Sequence, residues 1–219
     1  MNDRLNENLC RAISARLART PLPGRAAQRE LEPGLCYGRH FGPPTYRARE
    51  AAVTILLYPH AGEWYLPLTV RPATLPAHAG QISLPGGAID AGESTSQAAL
   101  RELEEELGVP SGDVSLLGSL TPIYVFVSEY RVHPWVAAVE ARPRFNPSAG
   151  EVGEMLEVPL AHLLDPANRG RHTRRQRGIE LSVPHFLWGR HRIWGATAMI
   201  LNELVVACCC EELATGLVV

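Results

Sequence analysis

Apolar positions recur along the chain at two different periods. Leu5, Leu9, Ile13 and Leu17 repeat at near-helical spacing within residues 1–22 and predict an amphipathic helix that packs through one face. Residues 23–50 mix Pro, Gly, Arg and aromatic side chains without a period and read as an arm. Continuous apolar runs then predict strands at 51–58 and 65–70, joined by a turn through PHAGEW. A loop, PATLPAHAG, leads to a short extended piece at 81–84 and a break at Pro85, Gly86 and Gly87.

The strongest helical signal is STSQAALRELEEEL, residues 94–107, with Ser94 as its N-cap and Gly108 as its stop. Leu100, Leu103 and Leu107 share one face, which places Glu102, Glu105 and Glu106 on the opposite one. Strands follow at VSLLGSL, YVFV and RVHPWVAAV, the last interrupted by Pro134, which points to an edge or a bulge. MLEVPLAHLL predicts a strand running into a short helix, RGRHTRRQRG a basic loop over 169–178, and LSVPHFLW a mixed segment. A final helix is expected from about Gly195 to Ala214. Strands interleaved with separated helices favour a single α+β or layered α/β/α unit over a doubly wound sheet.

Composition narrows the function classes. The 219 residues are 46% hydrophobic, enough for a core, and carry 21 Lys+Arg against 23 Asp+Glu, a net charge of −2. A balance so near zero argues against a protein that coats nucleic acid or anionic lipid. No apolar window is long enough for a membrane span. The start lacks the continuous apolar region of a secretory signal; a packing helix is the preferred reading, and a transit peptide the alternative. Five cysteines, with Cys208, Cys209 and Cys210 adjacent and no C-x-x-C pair, do not form an extracellular disulfide pattern. They point to a reducing cytoplasm, with the terminal run packed on a helix face. The apolar content also allows a homodimer.

The averaged charge conceals a dense acidic cluster. Glu93, Glu102, Glu104, Glu105 and Glu106 fall within fourteen residues. Like charges so close on a helix repel, and a hard divalent cation such as Mg²⁺ relieves that repulsion through carboxylate oxygens. Arg101 can hold a carboxylate in place, and the turn at Pro85, Gly86 and Gly87 can offer a backbone carbonyl to the same ion. The chemistry implied is metal-assisted attack of water on a phosphoanhydride. No GxxxxGK[ST] motif supports a P-loop machine.

Residues 87–109, GAIDAGESTSQAALRELEEELGV, resemble the Nudix hydrolase box without a mismatch: Gly87, Glu93 after five residues, Arg101 and Glu102 after seven more, then Leu103, Glu105, Glu106, Gly108 and Val109. The resemblance implies an α/β fold, an α/β/α sandwich with a mixed sheet, here with N- and C-terminal helical extensions. It implies hydrolysis of nucleoside diphosphate derivatives with Mg²⁺ or Mn²⁺. Glu102, Glu105, Glu106 and the Gly86 carbonyl would hold the metal, while Arg101 and Glu93 would order the box. The family often takes its general base from a loop beyond the box; Glu129 and Glu151 are the two candidates, with a slight preference for Glu151.

The preceding stretch, residues 66–87, is similar to the signature of coenzyme A pyrophosphatases at Leu68, Thr69, Arg71, Leu75, His78, Gly80 and Gln81. REAAVTILL and HRIWGATAMIL also resemble that group, so the likeness runs from about 47 to 204. Pro76 and Leu84 depart from it, where the group has a basic residue and Phe. Arg71, His78 and Gln81 are the implied substrate contacts, with a strand-end surface arginine and a structural histidine as the plain alternatives. The implied organisation is a helix and arm over 1–46, a Nudix domain over 47–204 with its box at 87–109, and the end of a helix and tail over 205–219. The reaction expected is cleavage of coenzyme A or a derivative to 4′-phosphopantetheine and 3′,5′-ADP. Its rivals are another nucleoside diphosphate substrate, such as ADP-ribose, a nucleotide sugar or a dinucleotide, and a catalytically idle nucleotide-binding regulator. The partner expected is therefore a small-molecule phosphoanhydride, not nucleic acid or a membrane. The arginines at 169, 171, 174, 175 and 177 are read as a solvated loop, with a rim that attracts anions or a nucleic-acid contact as alternatives.

Overall fold

Strand β1 (Arg49–His60) is apolar on both faces over its central residues. Leu56 and Tyr58 point to one side and Ile55 and Leu57 to the other, and all four are fully buried. Successive strand residues face opposite ways, so a strand buried on both faces needs a covering layer on each. The computed structural model of the protein describes residues 2–34, 36, 38–72, 80–176 and 178–209. Around β1 it builds a mixed sheet of eight strands.

β1 runs parallel to β7 (Tyr130–Ala138), with Arg49 beside Tyr130 and Leu57 beside Ala138. Its other edge carries β4 (Gly86–Ala88) and then β2 (Glu63–Val70), both antiparallel. β2 pairs in turn with β3 (Ile82–Ser83) and β8 (Glu154–Pro159), and β7 with β5 (Ser115–Ser119) and β6 (Ile123–Val125).

On one face lies α3 (Thr95–Leu107), packed closely because Ala98 and Ala99 meet Ala52 of β1. The Thr54 hydroxyl donates to the Ala99 carbonyl at 2.8 Å across that contact. Leu103 and Leu107 fill in with Leu56, Tyr58, Ala137 and Val139. The other face is covered by α1 (Asn2–Ala18) and α5 (Ala196–Cys208), through Leu9, Ile13 and Leu17 and through Met199, Leu201 and Leu204. This is the α/β/α sandwich with terminal helical extensions.

α5 is buried all round, as a helix apolar on every side should be. It nevertheless carries Asn202 and Glu203, both fully buried. Glu203 accepts from the Thr121 hydroxyl at 2.7 Å, the Gln28 amide at 2.8 Å and the Gly24 N–H at 3.1 Å. Asn202 donates to the Ala27 carbonyl at 2.6 Å. These bonds fix α2 (Gly24–Glu30) on α5, a helix inside the stretch expected to be an irregular arm.

Other expectations also change. The basic stretch is not a loop: Arg169–Gln176 is β9, paired antiparallel with β10 (Ile179–Trp188), which turns into β11 (His191–Trp194). Its arginines lie on partners from several parts of the chain, Arg169 on Glu30 at 3.5 Å, Arg171 on the Ser182 hydroxyl at 2.9 Å and Arg174 over the Trp194 ring at 4.2 Å; Arg177 lies outside the described residues. Pro134 is not at an edge, since β7 has neighbours on both sides. Its carbonyl accepts from the Leu120 N–H, so its nitrogen faces the crossing between β5 and β6. There the missing donor interrupts no ladder. The Pro-Gly-Gly break becomes β4. α5 ends at Cys208; that residue is buried while Cys209 is exposed, so the run does not pack as a unit, and Cys210 lies outside the described residues. Among the described residues, no helix is long and apolar enough to cross a membrane.

Candidate active site

The helix that carries the acidic cluster is held at both ends. At its N-terminus the Ser94 hydroxyl accepts from the Gln97 N–H, and the Gln97 side chain accepts from the Ser94 N–H at 2.9 Å. At its C-terminus Gly108 takes a left-handed φ of 68° and donates to the Glu104 carbonyl at 2.8 Å.

Arg101 ties the helix to the loop before it. Its guanidinium donates to both Glu93 oxygens at 3.0 Å, to Glu102 at 2.8 Å, to Glu105 at 3.0 Å and to the Ala88 carbonyl at 3.0 Å. These bonds hold the Glu93 carboxyl below the usual carboxylate range. Glu93 also accepts from the Asp90 N–H at 3.1 Å, which closes the loop on itself. Arg101 and Glu93 thus occupy ordering positions.

The glutamates do not face away from the core. Ala98, Ala99 and Leu103 press against the sheet, and Glu102 and Glu106 lie on that side, whereas Leu100 is only half-buried. Glu106 retains 7% exposure and the Glu102 side chain 14%. The small alanines, not the leucines alone, set the packed face, and this turns the carboxylates toward β1 and β4. Glu105 stays at the rim, with its side chain 55% exposed.

That burial governs the electrostatics. Burial pushes the Glu106 carboxyl up to about 7, helped by Glu102 and Glu151 and opposed by the Gly86 N–H and Arg71. Glu102 is raised for the same first reason, with Arg101 acting the other way. Gly86 directs its N–H toward Glu106 Oε1 at 3.5 Å. At Gly87 a Cβ would sit 2.4 Å from Glu102 Oε1, so the missing side chain is the space the carboxylate occupies.

A second segment converges here. The loop from 140 to 153 is anchored where the Asn146 N–H meets the Leu107 carbonyl at 2.8 Å and the Ser148 N–H meets the Glu106 carbonyl at 2.9 Å. Gly153 returns it to β2 through the Val70 carbonyl at 2.8 Å. Glu151, between these anchors, adds its charge to the environment of both Glu102 and Glu106, after larger contributions from burial and nearer groups. Glu129 is not among these contributors. It sits in the β6–β7 turn with a left-handed φ of 56°, its carbonyl accepting from the Arg49 N–H at 2.8 Å. Ser148 and Gly153 were not singled out from the sequence; glycines at 150 and 153 around Glu151, after Ser148, are the signal they offered.

Arg71 closes the other side. Its N–H donates to the Gln81 carbonyl at 3.0 Å, and its charge acts on Glu106. His78, with Leu75 and Pro76, lies outside the described residues.

The donors present fit a hard divalent cation. Among the described residues, Glu106 Oε2 and Arg71 Nε are buried without a hydrogen-bond partner. A buried, unpartnered carboxylate oxygen beside two further carboxylates is what such an ion satisfies. Glu102, Glu106 and Glu151, with Glu105 at the rim, are the residues that could hold it.

Comparison with known proteins agrees with this geometry. The NUDIX domain family model matches residues 48–177. The Nudix hydrolase NudL of Pectobacterium atrosepticum is 36% identical over 170 residues, covering 74% of this chain and 84% of the relative. The human protein named mitochondrial coenzyme A diphosphatase NUDT8 is 38% identical over 159 residues, covering 70% of this chain and 67% of the relative. Among solved structures, a MutT/nudix family protein from Enterococcus faecalis aligns with a TM-score of 0.50 at 16% identity, covering 83% of this chain and 72% of that one, a likeness of fold. With an intact box on the helix that covers the sheet, and relatives above one third identical over most of their length, the chain belongs to the Nudix family and is a Nudix hydrolase.

Proposed function

We propose that the protein is a Mg²⁺- or Mn²⁺-dependent pyrophosphohydrolase of nucleoside diphosphate derivatives. The observation that carries this is the convergence of Glu102, Glu106 and Glu151 beside Arg71, with a buried Glu106 oxygen lacking a partner among the described residues. Glu102, Glu105, Glu106 and the Gly86 carbonyl are the metal-holding groups in this reading. When bound, the cation lowers the pKa of a water and offsets charge that develops on the phosphates. Glu151 takes the proton of the attacking water, because it stands on a separate loop and is not tied to Arg101. Arg71 binds a phosphate of the substrate through its guanidinium, next to Gln81, whose carbonyl accepts from the Arg71 N–H; His78 is the further substrate contact that the likeness to coenzyme A pyrophosphatases suggests. Arg101 holds Glu102 and Glu105 in place through the bonds described above.

Within that class, coenzyme A or an acyl derivative is the substrate we place first, yielding 3′,5′-ADP and 4′-phosphopantetheine. Support comes from the stretch that runs into the box through Leu68, Thr69, Arg71, Gly80 and Gln81, and from the name of the human relative. A different nucleoside diphosphate derivative is the second reading, favoured by Pro76, which removes a cation from that stretch. Turnover of coenzyme A, ADP-ribose, a nucleotide sugar and a dinucleotide with each metal tests both. Release of 3′,5′-ADP at the highest kcat/KM supports the first; its absence, with another substrate turned over, overturns it. Inactivity on every diphosphate overturns the enzyme reading and leaves a nucleotide-binding regulator.

A further inference from the structure

Away from the box, Glu32, Cys36 and His40 bring one carboxylate oxygen, one sulfur and one ring nitrogen within 4.8 Å of one another. Cys36 and His40 are buried, at 9% and 6% exposure. The donors recur at every fourth residue where the chain leaves α2 and reaches the short 3-10 turn Arg39–Phe41. We propose that this cluster is a second metal site, one that binds Zn²⁺ or a similarly soft divalent ion and pins the N-terminal arm to β6.

Three observations support it independently of the Nudix chemistry. The first is the donor set: thiolate, imidazole and carboxylate select zinc-like ions, whereas the box offers oxygen alone. The second is the tautomer of His40. Its Nδ1 lies 2.9 Å from the Tyr124 carbonyl; a carbonyl only accepts, so the proton is on Nδ1 and the lone pair is on Nε2. A ring nitrogen bonded to a backbone carbonyl is the usual orienting contact of a metal-binding histidine. The third is Glu32 Oε1, buried without a hydrogen-bond partner among the described residues.

Charge and size agree. A thiolate and a carboxylate balance one divalent ion, so the occupied site would be neutral, as burial requires. Tetrahedral zinc places its donors roughly 3.5 Å apart, so the cluster need contract only by about 1 Å. A bidentate Glu32 or a water supplies the fourth donor. Occupied, the site would hold the 3-10 turn against β6, where the His40 ring already packs on Phe126 at 4.8 Å between centroids. β6 leads into the turn that carries Glu129, so the ion would stabilise that hairpin without entering the reaction.

The test uses the full chain, stripped with a chelator and reloaded with Zn²⁺ or Co²⁺. One zinc per chain should remain after dialysis against excess Mg²⁺. Co²⁺ should give the near-ultraviolet charge-transfer absorption of a thiolate-bound ion, which oxygen ligands in the box do not produce. That absorption should vanish in Cys36→Ser and persist in Cys10→Ser, Cys208→Ser and Glu106→Gln. No such absorption in the wild type, or one unchanged in Cys36→Ser, overturns the proposal. If Cys36→Ser does not fold, alkylation of Cys36 in the wild type decides by mass spectrometry. Protection by Zn²⁺ supports the site, and equal labelling with and without the ion overturns it.

Discussion

The Ser148 N–H donates to the Glu106 carbonyl at 2.9 Å, and this bond joins the loop that carries Glu151 to the helix that carries the box. A backbone bond fixes the distance between two side chains regardless of what either does. It therefore puts Glu151 beside the box glutamates before any substrate arrives, which Glu129, in a turn bonded to Arg49, does not share.

Glu151→Gln should consequently lower kcat by about 10²–10⁴-fold, the range for loss of a general base. KM and Tm should stay near wild type, because Glu151 has no partner role in the fold comparable to that of Ser148. Steady-state kinetics at saturating metal, with Glu129→Gln as the comparison, check this. A Glu129→Gln variant that loses kcat by that factor while Glu151→Gln keeps it would reverse the assignment.

The Glu106 carboxyl has an ordinary value of 4.5 and is pushed up to about 7 in the fold. The folded state then holds a proton that the unfolded state releases. Stability without metal should be highest below about pH 4.5 and decline until pH passes about 7. Glu106→Gln should remove that decline and leave the chelated protein roughly 3 kcal/mol more stable than wild type at alkaline pH. Saturating Mg²⁺ should reverse the order, since it binds the ionised carboxylate. Urea unfolding at several pH values, with chelator and with Mg²⁺, measures both.

How much of this was legible beforehand depended on the range of the signal. The box helix was readable because its cap, its stop and its glutamates all lie within residues 94–108. The interleaved strands and helices left α+β and layered α/β/α open, and the likeness of the box implied the sandwich. The strand over 169–176 was not legible, since no apolar residue alternates with the arginines and their partners at Glu30, Ser182 and Trp194 are distant in the chain. The burial of Glu106 is not legible from the leucines, because the close approach of Ala98 and Ala99 to Ala52 rotates the packed face of the helix toward the glutamates. Glu151 and Glu129 were equal in kind as sequence candidates, because the backbone bond that brings the Ser148 loop to the box helix leaves no mark in the residues around either.

Glu203 is the opposite case, a buried carboxylate outside the site whose donors are all satisfied by α2 and Thr121. Glu203→Ala would strand the Thr121 hydroxyl and N–H and the Gly24 N–H in the core, while the Gln28 amide keeps its bond to the Thr121 carbonyl. Unsatisfied buried groups cost about 1–3 kcal/mol each, partly recovered by relaxation, so a net loss of about 3 kcal/mol is expected. For a chain of this size that lowers Tm by roughly 6–12 °C. Calorimetry should show the drop, and Glu203→Gln, which keeps the acceptor oxygen, should show a smaller one.

The close approach at Gly87 separates positioning from folding. A Cβ there would lie 2.4 Å from Oε1 and 2.6 Å from Oε2 of Glu102, while β4 itself pairs with Ala52 through backbone alone. The three nearest atoms all belong to the Glu102 carboxylate, the far end of a flexible side chain and not backbone. Gly87→Ala should therefore fold with a Tm close to wild type. The displaced carboxylate would turn away from Glu106 and keep its bond to Arg101, so the three carboxylates no longer converge. The metal concentration needed for half-maximal activity should rise, and kcat at saturating metal should fall. Gly92, by contrast, has open space around it although its φ of 83° is left-handed. Gly92→Ala should therefore cost about 1 kcal/mol or more through backbone strain and leave the metal dependence unchanged. Titration of activity with Mg²⁺ alongside thermal unfolding distinguishes the two: a metal dependence unchanged in Gly87→Ala would show that the Glu102 carboxylate can leave its place without consequence.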